Sequence, residues 1–287
     1  MNTHLKGCIF IITSMLIFST IGIFVRYINL PNPVIIFFTS LFGFMVLTGY
    51  FAYKRKIKAV LEVKQKTTLM ISGVLVALNL LFFYMAYSLT TFANSVLTHY
   101  TAPIFAALLA PFYLKERLEK ITVLSLVVSF SGLIIITSNS LSFNNPNILG
   151  ILFGTLSGVF YGLSILVNKR LTNNIESKVI MVYQAFVCLM LMAPFLFLTK
   201  FSLSVTSISL LIVYALIVYI SASLIYLTGL KRVEAQHAGI IAYAEPIFVF
   251  ILGFLFFKEI PTIRTYIGGL LILYSGYLIL RAESKRT

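Results

Sequence analysis

Ten uncharged apolar stretches run through this chain, roughly over 7–25, 33–53, 68–89, 93–114, 121–138, 148–168, 178–199, 207–230, 236–257 and 264–280. Each is close to the ~20 residues that carry an α-helix across a bilayer. Hydrocarbon offers backbone N–H and C=O groups no partner, so a spanning segment must satisfy them as a helix or in a closed barrel. Continuous apolar runs of this length, without the two-residue alternation of barrel strands, predict helices. The expected fold is an all-α integral membrane protein with ten transmembrane helices. Composition agrees, since 60% of the 287 residues are hydrophobic and 10% are charged. The links between stretches are too short for a separate soluble domain. The first stretch lacks a small-residue cleavage site and aligns with the sixth, which predicts a retained helix and not a signal peptide.

The second constraint is an internal duplication. Tyr100-Thr101-Ala102-Pro103-Ile104-Phe105 returns 143 residues later as Tyr243-Ala244-Glu245-Pro246-Ile247-Phe248. At the same offset Lys115-Glu116 returns as Lys258-Glu259, Gly7 as Gly150, Ser14 as Ser157 and Arg26 as Lys169. Ser131-Gly132 matches Ser275-Gly276 one residue further on, so the second half gained a residue between its fourth and fifth helices. The repeats are expected over residues 1–142 and 143–287, five helices each.

Lysine and arginine fix the orientation of such a bundle, because cytoplasmic loops collect them. With the N-terminus inside, eighteen of the twenty-two cations share one side, in the groups Lys6, Lys54 to Lys66, Lys115 to Lys120, Lys169 to Lys178, Lys231 with Arg232, and Arg281 to Arg286. Arg26, Lys200, Lys258 and Arg264 fall on the other. Both termini are therefore expected in the cytoplasm. Five is odd, so the second repeat enters from the opposite side and the repeats are inverted. Inverted repeats characterise transporters that alternate between two related states around a midplane site. The same placement of cations assigns the net charge of +14 to topology and not to nucleic acid.

Two five-helix halves, each with a proline in its fourth helix followed by a basic-Glu pair, resemble the EamA-type transporters of the drug/metabolite transporter superfamily. The residues that carry the resemblance are Pro103 with Lys115-Glu116-Arg117-Leu118, and Glu245-Pro246 with Lys258-Glu259 and Gly268-Gly269. It extends over nearly the whole chain. It implies a cavity lined by the first, third, fourth, sixth, eighth and ninth helices, and export or exchange of an amino acid, metabolite or drug-like compound. The implied location is the plasma (inner) membrane of a prokaryote. Relatives often carry an arginine early in the second helix. Here Phe37-Phe38-Thr39-Ser40-Leu41 stands there, which argues against a strong anion site at that point.

Among eight acidic residues, all glutamates, Glu245 alone lies near the middle of a span. An ionised carboxylate at that depth costs several kcal/mol, so a proton or a cationic or zwitterionic solute is its natural partner. The structural alternative is a neutral glutamic acid donating to the carbonyl of Ala242, which Pro246 cannot pair. Pro103 and Pro246 are expected to break the fourth and ninth helices at matching depth, freeing the carbonyls of His99 and Ala242. Tyr100 and Tyr243 precede them by three residues and so share the proline face, as cavity lining or as packing. His99 is a candidate for proton sharing or solute contact, or a neutral residue bonded to a neighbouring helix. His237, near a helix end, reads as solvated and structural.

Asn79, Tyr84, Tyr161, Gln184 and Tyr226 must face protein or water, either as cavity lining or as links between helices. Gly150, Gly154, Gly158 and Gly162 recur every four residues and predict a smooth ridge for close helix packing. Lys115-Glu116 and Lys258-Glu259 stand at helix ends on opposite membrane faces, as caps, gates or ordinary surface pairs. Cys8 and Cys188 are expected to pack and not to pair.

The chain contains no aspartate, and His4, His99 and His237 share no metal-ligand spacing. No phosphate-binding glycine loop is present. The expectation is a transporter that is not an enzyme, with no cofactor and no metal. Its expected partners are the lipid bilayer, a small organic solute and protons, in a monomer or homodimer. A lipid-headgroup flippase or a channel is the alternative.

Overall fold

The computed structural model describes residues 3–90, 95, 98–138, 148–257 and 262–284 of the chain. The Lys258-Glu259 pair, the expected repeat boundary at 142 and 143, and the terminal Lys285 and Arg286 lie outside the described residues. The described residues are helical, and no strand occurs among them.

The first half comprises α1 (Thr3–Phe18), α2 (Ile21–Ile28), α3 (Asn32–Tyr53), a short α4 (Ile57–Leu61), α5 (Lys66–Leu89), α6 (Ala102–Tyr113) and α7 (Lys120–Thr137). The second comprises α8 (Ile148–Thr172), α9 (Ser177–Leu198), α10 (Val205–Tyr214), a π-helix (Ala215–Ala222), α11 (Ser223–Leu230), α12 (Ala235–Ala242), α13 (Ala244–Phe257) and α14 (Ile263–Ser284). Seven helices among the described residues are long and apolar enough to cross a membrane. Three shorter apolar helices, Ala102–Tyr113, Lys120–Ile135 and Tyr266–Ala282, fall on the fourth, fifth and tenth expected spans.

Local chemistry explains where the helices stop. Pro31 to Pro33 start α3 because a proline in the first turn removes an N–H that would be unpaired anyway. Asn29 closes α2 in the left-handed conformation, with φ of 51°, which asparagine tolerates better than most residues. Ser204 and Ser207 form a reciprocal cap that opens α10.

Two expected continuous spans are interrupted. The first helix breaks at Ser19 and Thr20, whose hydroxyls donate to the carbonyls of Leu16 (2.6 Å) and Ile17 (2.7 Å), and such back-bonding bends helices. The eighth widens into the π-helix, where Ser221 Oγ donates five residues back to Leu216 O at 2.7 Å. A π segment adds about one residue per turn and re-aims the side chains beyond it.

The first helix packs on the eighth (α1 on α11) and the third on the sixth (α5 on α8). The fourth packs on the sixth (α6 on α8) and the ninth on the first (α12 and α13 on α1). The second pairs with the seventh (α3 with α9), the fifth with the tenth (α7 with α14) and the fourth with the ninth (α6 with α12). Exchanging the two halves maps this set of pairings onto itself.

Several loops grouped above by charge meet at one end of the bundle. Lys169 Nζ donates to Leu230 O (2.9 Å) and Lys231 O (3.1 Å), and the loop at Glu116 bonds Ala235. At the other end Arg264 Nη1 donates to Ser138 Oγ at 3.0 Å. Large apolar side chains such as Val127, Leu255, Leu270 and Tyr274 are exposed on the outer surface, where lipid tails would cover them.

Candidate functional site

The fourth and ninth helices are both divided just before their prolines, and Pro103 and Pro246 lie in the first turns of α6 and α13. At the first break, Ile104 N–H turns to Thr101 O (2.9 Å), one residue short of the α-helical pattern. The carbonyl of Tyr100 thereby leaves the ladder, and the Tyr243 hydroxyl from the other half donates to it at 2.8 Å. The two tyrosine rings pack with centroids 5.9 Å apart. At the second break, Tyr243 N–H closes a tight turn on Ile240 O at 3.2 Å. The two Tyr-x-x-Pro segments therefore meet each other, through a bond that only the breaks make possible.

Glu245 occupies the first turn of α13, where the unpaired amides and the helix dipole favour a carboxylate. The Tyr100 hydroxyl of the first half lies near enough to act on this carboxyl of the second. Tyr161 of the sixth helix and Tyr214 of the eighth lie within electrostatic reach of the same carboxyl, and Tyr84 of the third lies within reach of Tyr214. Tyr226 turns its buried hydroxyl toward Tyr161 without completing a hydrogen bond. Glu245, Tyr84, Tyr161 and His99 are half-buried. Phe18 of the first helix packs edge-on against Tyr226, 6.5 Å away by ring centroid.

His99 is held on three sides. Its ring stacks 5.2 Å from Tyr161 with an interplanar angle of 3°, and 4.0 Å from Phe83. Its Nδ1 lies 2.8 Å from Ser157 Oγ. Ser157 directs its single proton to Asn79, whose Oδ1 and backbone O lie at 2.8 and 3.0 Å. A hydroxyl already donating can only accept from the imidazole, so Nδ1 carries the hydrogen. His99, Ser157 and Asn79 thus tie the fourth, sixth and third helices together, and Asn79 serves as a link between helices.

The glycine ridge sits against the first break. A methyl group on Gly158 would fall against Thr101 Oγ1, 2.8 Å from Thr98 O and 3.0 Å from His99 O. One on Gly162 would lie 2.8 Å from Ala102 O, one on Gly150 would meet Thr90, and one on Gly154 would meet Thr98. The ridge lets α8 reach the backbone that the break exposes.

At one end of the bundle Glu116 closes on the ninth helix. Both carboxyl oxygens accept from Ala235 N–H at 3.0 Å, at the N-terminus of α12, and Gln236 Nε2 donates to Arg117 O at 2.9 Å. Burial pushes the Glu116 carboxyl above the ordinary glutamate value, against the opposing pull of the Ala235 amide.

One reading of the sequence changes and one open alternative is decided. His237 is fully buried and not solvated, with Nε2 3.1 Å from Thr122 Oγ1 of the fifth helix. The chain turns inward at Val233 to start α12, which carries the histidine under the Glu116 clasp. Gln184 is a link and not cavity lining, since its Nε2 donates to Ser72 Oγ (2.8 Å) and Asn168 Oδ1 (3.0 Å) in a buried triad. Cys8 and Cys188 are buried and are not joined in a disulfide. Sequence reasoning passed over Tyr214, Phe83 and Ser157. The duplication offered a signal for Ser157, through its match to Ser14, and for Phe83, through its match to Tyr226.

The sequence profile of the EamA-like transporter family matches residues 5–138 and again residues 148–281. An uncharacterized transporter of Bacillus subtilis is 24% identical over 277 residues, covering 92% of this chain and 86% of that protein. An S-adenosylmethionine uptake transporter of Rickettsia conorii is 22% identical over 290 residues, covering 99% of this chain and 96% of that one. A protein known from its crystal structure aligns with a TM-score of 0.83 over 97% of this chain and 98% of its own, at 17% identity, which establishes the fold alone.

Proposed function

The chain belongs to the EamA-like transporter family, and on that premise we propose that it exports or exchanges a small organic solute by alternating access, coupled to protons through Glu245. Its ten spans form two inverted five-helix repeats, residues 1–142 and 143–287, with both termini in the cytoplasm of a prokaryotic cell and the bundle in its plasma membrane. The exchange symmetry of the helix pairings supports the repeats. The gathering of cationic loops at one end supports the orientation. Similarity to a protein named for uptake of S-adenosylmethionine, a sulfonium cation, places a small charged solute among the candidates.

One observation carries the mechanism. The only span carboxyl stands at the junction of the two broken helices, within reach of Tyr100 of the opposite repeat. Protonation of Glu245 removes its charge, and with it the preference of Tyr100 to donate there. A proton or a solute at this carboxyl therefore acts on both halves at once.

Uptake of labelled solutes into proteoliposomes tests the reading. An imposed proton gradient is expected to stimulate uptake by the wild type at least about tenfold over Glu245→Gln, a difference of ~1.4 kcal/mol in driving interaction. Equal saturable transport by the two proteins would leave a facilitator without proton coupling at this residue.

A further inference from the structure

Leu109, Phe112 and Tyr113 of α6 and Leu163, Leu166 and Val167 of α8 are spaced i, i+3 and i+4, so each set forms one face of its helix. Between the two faces lies a groove of about 250 Å³. Phe112 is 85% exposed and Tyr113 39% exposed, so the groove opens away from the bundle. Beside a membrane span that outward side is hydrocarbon, and lipid chains are what fill it. One end of the groove is charged. The Arg170 guanidinium lies over the Tyr113 ring, 5.4 Å from its centroid, in a cation–π contact that holds it at the rim. Arg170 is exposed, and no carboxylate pairs with it among the described residues. Lys115, two residues beyond Tyr113, is exposed in the left-handed conformation with φ of 61°, which few residues other than glycine adopt. By the 143-residue offset Tyr113 corresponds to Phe256 and Arg170 to Tyr27, so the duplication does not carry the cation–aromatic pair twice.

We infer that this groove binds an anionic glycerophospholipid of the phosphatidylglycerol class, with an acyl chain between the faces of α6 and α8 and the headgroup phosphate on Arg170. A guanidinium presents a planar fork of donors that matches phosphate. A zwitterionic headgroup would bring its own cation to an end that already holds Arg170 and Lys115, whereas a net anion complements them. The inference goes beyond the transporter reading and stands whatever solute the bundle carries. α6 runs from the break before Pro103 to the loop of Glu116, so a lipid seated here bears on the element that joins the two.

The chain contains no tryptophan, so one indole placed in the full-length protein reports one position. Phe112→Trp sets it in the groove, and Tyr274→Trp sets it on the outer face of the tenth helix, where the native side chain is 54% exposed. Each protein is reconstituted in phosphatidylcholine bilayers holding a minor fraction of phosphatidylglycerol, with fluorescence-quenching bromines on the acyl chains of one lipid or the other. The ratio of quenching by the two brominated lipids cancels the depth of the indole. It is expected to be at least about threefold higher for Phe112→Trp than for Tyr274→Trp, within the enrichment that one cation at an anionic surface supports. Adding Arg170→Gln to Phe112→Trp should return the ratio to the reference, since the general attraction of the other cations is unchanged. Should that protein not fold, Tyr113→Leu removes the ring that holds the guanidinium at the rim and should lower the ratio too. Equal ratios at the two positions, or a raised ratio that survives these substitutions, overturns the inference. So does protection of the Phe112→Trp indole from both lipids, which a second copy of the chain seated on the groove would produce.

Discussion

The two broken helices share a backbone and divide the chemistry. Both carry Tyr-x-x-Pro, and both break just before the proline. The ring trio of Phe83 and His99 from the first half with Tyr161 from the second corresponds by the 143-residue offset to Tyr226, Ala242 and Phe18. With alanine in the histidine's place, Phe18 and Tyr226 meet edge to face directly, 6.5 Å apart. Glu245 corresponds to Ala102, which is fully buried. Ser157 bonds two other helices, while its counterpart Ser14 bonds only Ile11 O of its own helix at 2.7 Å. The imidazole thus belongs to one repeat and the carboxyl to the other. A symmetric scaffold supplies two related conformations, and an asymmetric polar set lets one site respond to a single proton or charge.

The sharpest way to break the comparison is to impose one half's packing on the other. Gly158 corresponds to Met15, which is fully buried in the first half. The sixth helix meets the backbone carbonyls of the fourth directly at Gly158, where the first helix carries Met15 at the matching position. Gly158→Met is expected to cost about 3 kcal/mol or more, at the top of the range for overpacking, because the opposing atoms are main chain and cannot rotate away. Measured by thermal denaturation in detergent, it should be the most damaging substitution described here. A neutral result would show that the fourth helix is free to retreat.

Exchanging the serines sharpens the contrast at the next level. Ser157→Ala strands His99 Nδ1 and removes the link to Asn79, for an expected loss of about 1–2 kcal/mol. Ser14→Ala removes a bond that merely bends its own helix and should stay within about 0.5 kcal/mol. Equal losses would mean that the cross-helix chain contributes nothing beyond a local hydroxyl.

Tyr243→Phe cuts the bond that joins the two breaks. The Tyr100 carbonyl then loses its donor, at an expected cost of about 1 kcal/mol. Tyr100→Phe instead frees Glu245, and so should move the pH dependence of transport while leaving stability almost unchanged. If both variants shift the transport profile alike, the two phenols form one network and not two separate contacts.

Much of this asymmetry was legible in the sequence, and the illegible part has a physical cause. The offset exposed the helices, the breaks and Glu245, because membrane spans and prolines impose their signal locally. The glycine ridge was readable for the same reason, as one face of one helix. The role of Ser157 was not, because a serine with a local bond and a serine with a cross-helix bond look alike until the neighbouring helix is placed. His237 was misjudged since proximity to a helix end in sequence says nothing about the loop of Glu116 folding over it. Tyr214 stayed hidden among 16 tyrosines, where identity alone does not separate site from packing.

The smallest expected effect lies at the end of the bundle, where Glu116 clasps the start of α12. Burial raises its carboxyl above the ordinary value while the end is closed. Opening returns it to water and to that ordinary value. A group that binds its proton more tightly in one state favours that state when protonated. Acid therefore favours the closed end, and the advantage is lost as pH rises from the ordinary glutamate value through the raised one. In the wild type, the rate at which a thiol reagent labels a cysteine placed at Gly239, which packs on Pro103, should rise with pH across that window. In Glu116→Gln, with no proton to release, the rate should be flat. A slope that persists in the variant would assign the pH response to a different group, and Glu245 at the opposite half's break would be the first to substitute.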